Sequence, residues 1–237
     1  MPKKILSLYL SIALPLLEKG AMRKIILLFC MATSFAAAAQ ASHASPAASL
    51  KQLFNTMQSV EARFNQRLKN EQGQVLEQST GRFMLKKPMK VYWDIEGKDA
   101  RLIVSDGKKV WDFDKVLEQV IVQDLSKAQM GAPLLLLTGD AKAIDRTFSV
   151  QLLATKNTLC SKQSTHCFVL YPKHKEDQSF EKIAIGFKKD QLQEMQLFDP
   201  LGQCSEIIFD HLHLNIHLSD ALFQFKIPPQ VDVLQND

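Results

Sequence analysis

The chain has 237 residues, 46% of them hydrophobic and 23% charged, and a formal net charge of +4. Lys3, Lys4, Lys19, Arg23 and Lys24, set against Glu18, account for the whole surplus. Residues 42–237 are therefore neutral, with no electrostatic footprint for nucleic acid and no basic tail for an anionic membrane surface.

Met22-Arg23-Lys24 precedes the apolar run IILLFCMATSFAAAA, and Ala39 and Ala41 flank Gln40, the pattern of a secretory signal peptide. Glu18 and Lys19 break the earlier apolar run, which favours translation from Met22; cleavage after Ala41 or Ala44 fits equally. Residues 1–41 thus read as an N-terminal extension with a cleaved signal, and 42–237 as one domain of about 195 residues without a Gly/Ser or Pro-rich linker. No later run approaches the roughly 18 apolar residues of a membrane span, and Cys30, behind Phe29, suits no lipid attachment. Cys160, Cys167 and Cys204 remain, an odd set in an oxidising compartment, which implies one pair and one spare thiol.

Ser45 and Pro46 suit a helix start, and Leu50, Leu53, Phe54 and Met57 follow a helical stripe. From Val60 the period becomes two, Val60, Ala62 and Phe64 opposing Glu61, Arg63 and Asn65, so a strand follows. TGRFMLKKP alternates Gly81, Phe83 and Leu85 against Arg82, Met84 and Lys86, and KVYWDI alternates Val91 and Trp93 against Tyr92 and Asp94. RLIVS and KVWDF flank Asp106-Gly107 as a hairpin, with Asp114 opening the next turn and EQVIVQDL returning as a strand. In that reading Trp111 and Phe113 face inward and Asp112 faces water.

Leu134, Leu135, Leu136 and Leu137, between Pro133 and Gly139, read as one short apolar helix. Strands resume as TFSVQLLA, HCFVLYP, FEKIAIGF, QLQEMQLF, SEIIFDHLHLNIHL and LFQFKIP. So many one-face-apolar strands in succession must curl, which predicts a closed or partly open antiparallel barrel carrying two helical segments.

His211, His213 and His217 fall on one face of the strand by spacing, but Leu212, Leu214, Ile216 and Leu218 supply its buried face, so the histidines read as a polar strand face and no metal site is assigned. Cys160 and Cys167 bracket SKQSTH between two strands, a spacing that suits a disulfide closing the hairpin, with Cys204 as a competing partner. No Gly-x-Ser-x-Gly, His-Glu-x-x-His or Gly-rich phosphate loop is present, so no catalytic residue and no cofactor is assigned.

The segments FNQRL, GRFMLKKPMKVYWD, LIVSDGKKVWDFDKVLEQVIVQ, APLLLLTGD, LFDPLGQCSEIIF and LFQFKIPPQVDVL resemble, in order, the periplasmic outer-membrane lipoprotein carrier family, LolA. The resemblance implies a half-open antiparallel β-barrel covered by a helical lid, with no enzymatic activity. It implies a periplasmic monomer that takes outer-membrane lipoproteins from an ATP-driven inner-membrane release complex to an outer-membrane acceptor. Phe64, Phe83, Leu85, Trp93, Trp111 and Phe113 would then line the acyl-chain cavity. Leu50, Leu53, Phe54 and Met57, with Leu134 to Leu137, would form the lid. Where family members carry an arginine that ties the lid to backbone carbonyls, this chain has Lys87. A lipid-sensing regulator or a lipoprotein acceptor on the same half-barrel is the alternative.

Overall fold

The computed structural model describes residues 44–125, 136, 141–154, 159–174 and 180–236. The expected signal region and three of the four lid leucines, Leu134, Leu135 and Leu137, lie outside these residues. Contacts divide the chain into Met1–His43 and Ala44–Asp237, and every described residue belongs to the second unit.

Helix α1, Pro46–Thr56, starts where the Ser45 hydroxyl accepts the Ala48 N–H at 3.2 Å and Pro46 needs no partner for a missing N–H. It buries Leu50 and Phe54 and ends at Met57, whose N–H returns to the Phe54 carbonyl at 3.1 Å. The change of period at Val60 is the change of element. Strands β1, Ser59–Lys69, and β2, Val75–Lys86, follow, then β3, Lys90–Glu96, β4, Arg101–Asp106, β5, Lys109–Asp114, and β6, Gln119–Asp124. Helix α2, Ala141–Thr147, leads into β7, Phe148–Leu153. The rest are β8, His166–Pro172, β9, Lys182–Lys188, β10, Gln191–Phe198, β11, Cys204–Leu214, and β12, Asp232–Asn236.

The twelve strands of the described residues form one sheet in the order β12-β6-β5-β4-β3-β2-β1-β11-β10-β9-β8-β7, with β1 against β11 joining its two halves. The sheet is open, since β12 and β7 are its two ends. Its inner face is apolar across both halves. Val60 pairs with Leu85, Ala62 with Phe83 and Phe83 with Trp93, while Phe168 pairs with Ile185, Ile185 with Met195, and Met195 with Ile207. These side chains form one buried cluster with Leu50, Phe54 and Met57, and with Leu136 and Ile144 from the chain before β7.

The closing region departs from the expected meander. LFQFKIP forms no strand; Asp220–Phe223 is a 3-10 turn, after which the chain runs to β12, which pairs parallel to β6. Residues 218–225 lie over the outer face, where Leu218 and Phe223 pack on Met84 and Tyr92 and Phe225 meets Trp111 and Phe113. The apolar residues of LFQFKIP are spaced for that packing, which period-two alternation mimics.

Candidate functional site

Four of the six residues expected on the cavity wall meet on the inner face. Phe64, Phe83 and Leu85 are at most 1% exposed and Trp93 is 7% exposed. Trp93 meets Phe83 edge-on at a 5.3 Å centroid distance and Phe64 at 5.8 Å, geometries that suit the aromatic quadrupole. Phe64 lies close over Gly81, which leaves its ring room to rest against the sheet.

Trp111 and Phe113 are on the other side, and the expectation for them is corrected. Trp93 pairs with Ile103, and Ile103 with Asp112, so Asp112 shares the inner face; Trp111 pairs with Val104, and Val104 with Tyr92, on the outer face. Trp111 and Phe113 pack at a tilt against Phe225, at 6.3 and 5.8 Å between centroids. The assignment failed because β5 carries its aromatics on the outer face, under the C-terminal segment, while its inner face holds Val110 with Asp112 and Asp114. Alternation fixes two faces but does not say which is which. Asp112 does not simply face water either: Arg101 donates to it through Nε at 2.5 Å and Nη2 at 2.8 Å.

The other acids of this stretch are turn formers, as expected. Asp106 accepts the N–H groups of Lys108 and Lys109 at 2.7 and 2.8 Å beside Gly107 at φ +92°, and Asp114 accepts those of Val116 and Leu117, both at 2.9 Å.

At the end of β2 two consecutive lysines reach opposite layers. Lys87 Nζ donates to the Phe54 carbonyl at 2.6 Å, in the last turn of α1, where a cation complements the helix C-terminus. Burial pulls the Lys87 ammonium below the ordinary lysine range. Lys86 Nζ instead donates to the Leu218 carbonyl at 2.9 Å and to Asp220 at 2.6 Å on the outer face. Helices α1 and α2 are tied by Lys51 to Asp145 at 2.7 Å. A groove of about 290 Å³ beside α1 is lined by Leu53, Leu152 and Phe168 together with the polar Ser49, Gln52, Thr56, His166 and Asp190.

Lys86, Lys90, Asp220 and Phe225 were not singled out in the sequence; the only signal for them was the Phe-x-Phe of LFQF, which imitates a strand. Hydrogen bonds from Lys86 and Lys90 hold the Asp220 carboxyl at about 2, below its ordinary 3.8. Its hold on the outer layer is therefore complete above about 3.8 and is lost as the pH falls through about 2. In a Trp93→Phe background, Trp111 emission should shift to the red between pH 4 and 2 before far-ultraviolet dichroism changes. Asp220→Asn should show the shifted emission already at pH 7. Identical emission in both proteins across this range would separate Asp220 from the packing of the segment.

Cys160 and Cys167 form a disulfide with Cα atoms 6.0 Å apart, and Cys204 is a free thiol. The three histidines do not share one strand face. His211, at φ +47°, sits in a bulge where the register jumps between Glu61 and Arg63, and His217 lies beyond Asn215, which leaves the strand at φ +58°. His211 and His213 line an outer groove with Glu61, Arg63 and Arg82.

The profile of the family described as "Outer membrane lipoprotein carrier protein LolA" matches residues 55–226. A protein of Pseudomonas aeruginosa (strain UCBPP-PA14) named outer-membrane lipoprotein carrier protein is 34% identical over 217 residues, covering 90% of this chain and 100% of its own. One of the same name from Hahella chejuensis is 33% identical over 202 residues, covering 85% of this chain and 94% of its own. The crystal structure of an uncharacterized conserved protein from Thermus thermophilus aligns with 79% of this chain and 99% of its own at a TM-score of 0.50 and 10% identity, a likeness of fold alone. The profile match runs from the last turn of α1 through β1 to β11 and as far as Lys226, taking in the inner face, Lys87 and the outer aromatic layer, and the chain belongs to the outer membrane lipoprotein carrier protein LolA family.

Proposed function

We propose that this protein is a periplasmic carrier that holds the acyl chains of outer-membrane lipoproteins between the inner sheet face and α1. It receives them from an ATP-driven inner-membrane release complex and delivers them to an outer-membrane acceptor. The observation that carries this reading is the apolar inner face, continuous across both halves of an open sheet and covered by a helix held at its end through Lys87. Its relatives are named as carriers rather than enzymes. In this reading α1 and the segment of Leu136 are the lid, the wall is Phe64, Phe83, Leu85 and Trp93, and residues 42–237 are the working domain. Trp111 and Phe113 serve the outer layer.

The energetics fit such a carrier. Each methylene withdrawn from water is worth about 0.8 kcal/mol, so one acyl chain of about 16 carbons represents on the order of 12 kcal/mol. A lipoprotein cannot cross water unaided against that cost. Delivery in turn requires that the empty state compete, which it does when α1's own Leu50 and Phe54 fill the inner face. Incubating inner-membrane vesicles that hold a tagged lipoprotein with this protein should yield a soluble one-to-one complex. Failure to solubilise any lipoprotein would sink the reading.

A further inference from the structure

Among the described residues, the buried indole Nε1 of Trp93 has no hydrogen-bond partner. The residue is 7% exposed and sits in the middle of the inner face, opposite Phe83 on one neighbouring strand and Ile103 on the other. Its ring contacts are Phe64 and Phe83, both edge-on. Aromatic faces are only second-order acceptors for an N–H, so they do not replace a carbonyl.

A buried donor without an acceptor forfeits the hydration it had in the unfolded chain and is rare in a native interior. A phenylalanine at this position would present a similar apolar surface without that cost. The indole is therefore expensive for an empty core and useful only where something brings an acceptor. No wall residue named above provides one, since Phe64, Phe83, Leu85 and Ile103 offer only hydrocarbon side chains. The occupant proposed for this face has acceptors at defined places. Each chain of an acylated cysteine begins at a carbonyl, either an ester on the glyceryl group or an amide on the amino terminus.

We propose that the Trp93 N–H is a recognition donor for an acyl carbonyl oxygen of the cargo, which makes it a determinant of specificity for acyl over purely alkyl chains. The inference rests on the carrier reading and adds to it a polar element inside a site otherwise built from hydrocarbon. Burial alone would accept any chain of suitable length; a single donor sets how far a chain enters, because the carbonyl must stop at the indole. The bond forms in a compartment of low dielectric, where the alternative for the N–H is no partner at all.

Three lipopeptides of equal total chain length test it: one with two ester-linked glyceryl chains, its dialkyl ether analogue, and an analogue in which one of the two ether chains is replaced by an amide-linked chain on the amino terminus. The purified full-length protein should bind the ester form about tenfold more tightly than the ether form, one net hydrogen bond's worth. Restored affinity in the third compound would show that an amide carbonyl also serves as acceptor, and no restoration would confine the contact to the ester. Trp93→Phe should bind all three within about twofold of one another. Because that variant leaves a small void, a second measurement avoids it: in Trp111→Phe, where Trp93 is the remaining tryptophan, the ester form should shift the emission to longer wavelength and the ether form should not. Equal binding of ester, ether and amide forms by the unaltered protein would overturn the donor role while leaving the carrier reading intact. Binding of none would overturn the carrier reading itself.

Discussion

Gly81→Ala should unfold this protein far more readily than any comparable methyl addition on the sheet. A Cβ built at Gly81 would lie 1.9 Å from the Asp94 carbonyl oxygen and 2.7 and 2.8 Å from two atoms of the Phe64 ring. The ring could turn aside, but the carbonyl belongs to the backbone of β3, whose pairing with β2 places Gly81 opposite Ile95. Relief requires prying the two strands apart at the centre of the half that carries the wall. Overpacking in a core usually costs about 1–3 kcal/mol, and a clash against fixed backbone belongs at or above the top of that range. With a urea slope of about 1–3 kcal/mol/M, the unfolding midpoint should fall by about 1 M or more. Phe64→Leu added to Gly81→Ala removes the ring contact and should recover only part of the loss, since the carbonyl remains. An unchanged midpoint for Gly81→Ala would show that β3 yields there, and that the close seat of Phe64 over the sheet is not demanded by the backbone.

The inner face was legible because its signal is redundant. Val60, Ala62 and Phe64 on one strand, Gly81, Phe83 and Leu85 on the next, and Val91 and Trp93 on a third alternate with charged residues, and a polar outer face leaves only one way to turn them. The start of α1 was equally plain, since Ser45 and Pro46 act locally. Legibility ended where a strand turns its aromatics to the outer face and acids to the inner one. For KVWDFD the identity of the covering layer decides the direction, and that layer comes from residues 218–225, more than a hundred positions away. The same residues defeated the strand expected at LFQFKIP and concealed the parallel pairing of β12, because a long crossover leaves no periodicity of its own. Helix α2 was missed for a different reason: AKAIDRT is too short for a helical stripe to show, and among its described side chains Ile144 alone is committed to the core.

Buried polar groups were also beyond the sequence. Glu194 sits in QLQEMQLF as an ordinary polar position, yet it is 2% exposed, and its Oε1 accepts the Ser161 N–H at 2.6 Å and the Ser164 hydroxyl at 2.8 Å. It thereby fixes the loop closed by Cys160 and Cys167 to the outer face. Gly186 beneath it is needed because a Cβ there would stand 2.6 Å from both the carboxylate and the Ser164 oxygen. Partners so distant in the chain become visible only once the register is known.

Replacing Lys87 by leucine should slow delivery of bound lipoprotein to an acceptor by about fivefold to tenfold while leaving uptake intact. The side chain makes one hydrogen bond, to a carbonyl of α1 that already accepts the Met57 N–H, and its ammonium gives up hydration to do so. A bond from a charged donor is worth about 1.5–3 kcal/mol, and the hydration that the half-buried ammonium gives up offsets part of it, leaving a weak latch. A weak latch suits a helix that, in the carrier cycle proposed above, lifts for cargo and returns for release. Leucine removes the latch from the closed, empty state and adds apolar surface that an acyl chain can cover, so both changes move the balance toward the loaded form. Lys87→Arg should restore transfer, because a guanidinium keeps the charge and presents a planar fork to the same carbonyl. The measurement is the rate at which a preformed lipoprotein complex passes its cargo to acceptor-bearing membranes. Transfer at the unaltered rate in Lys87→Leu would remove this lysine from the mechanism. A fall in Lys87→Arg as large as in Lys87→Leu would mean that the fit of the lysine chain, rather than its charge at the end of α1, is what closes the helix over the sheet.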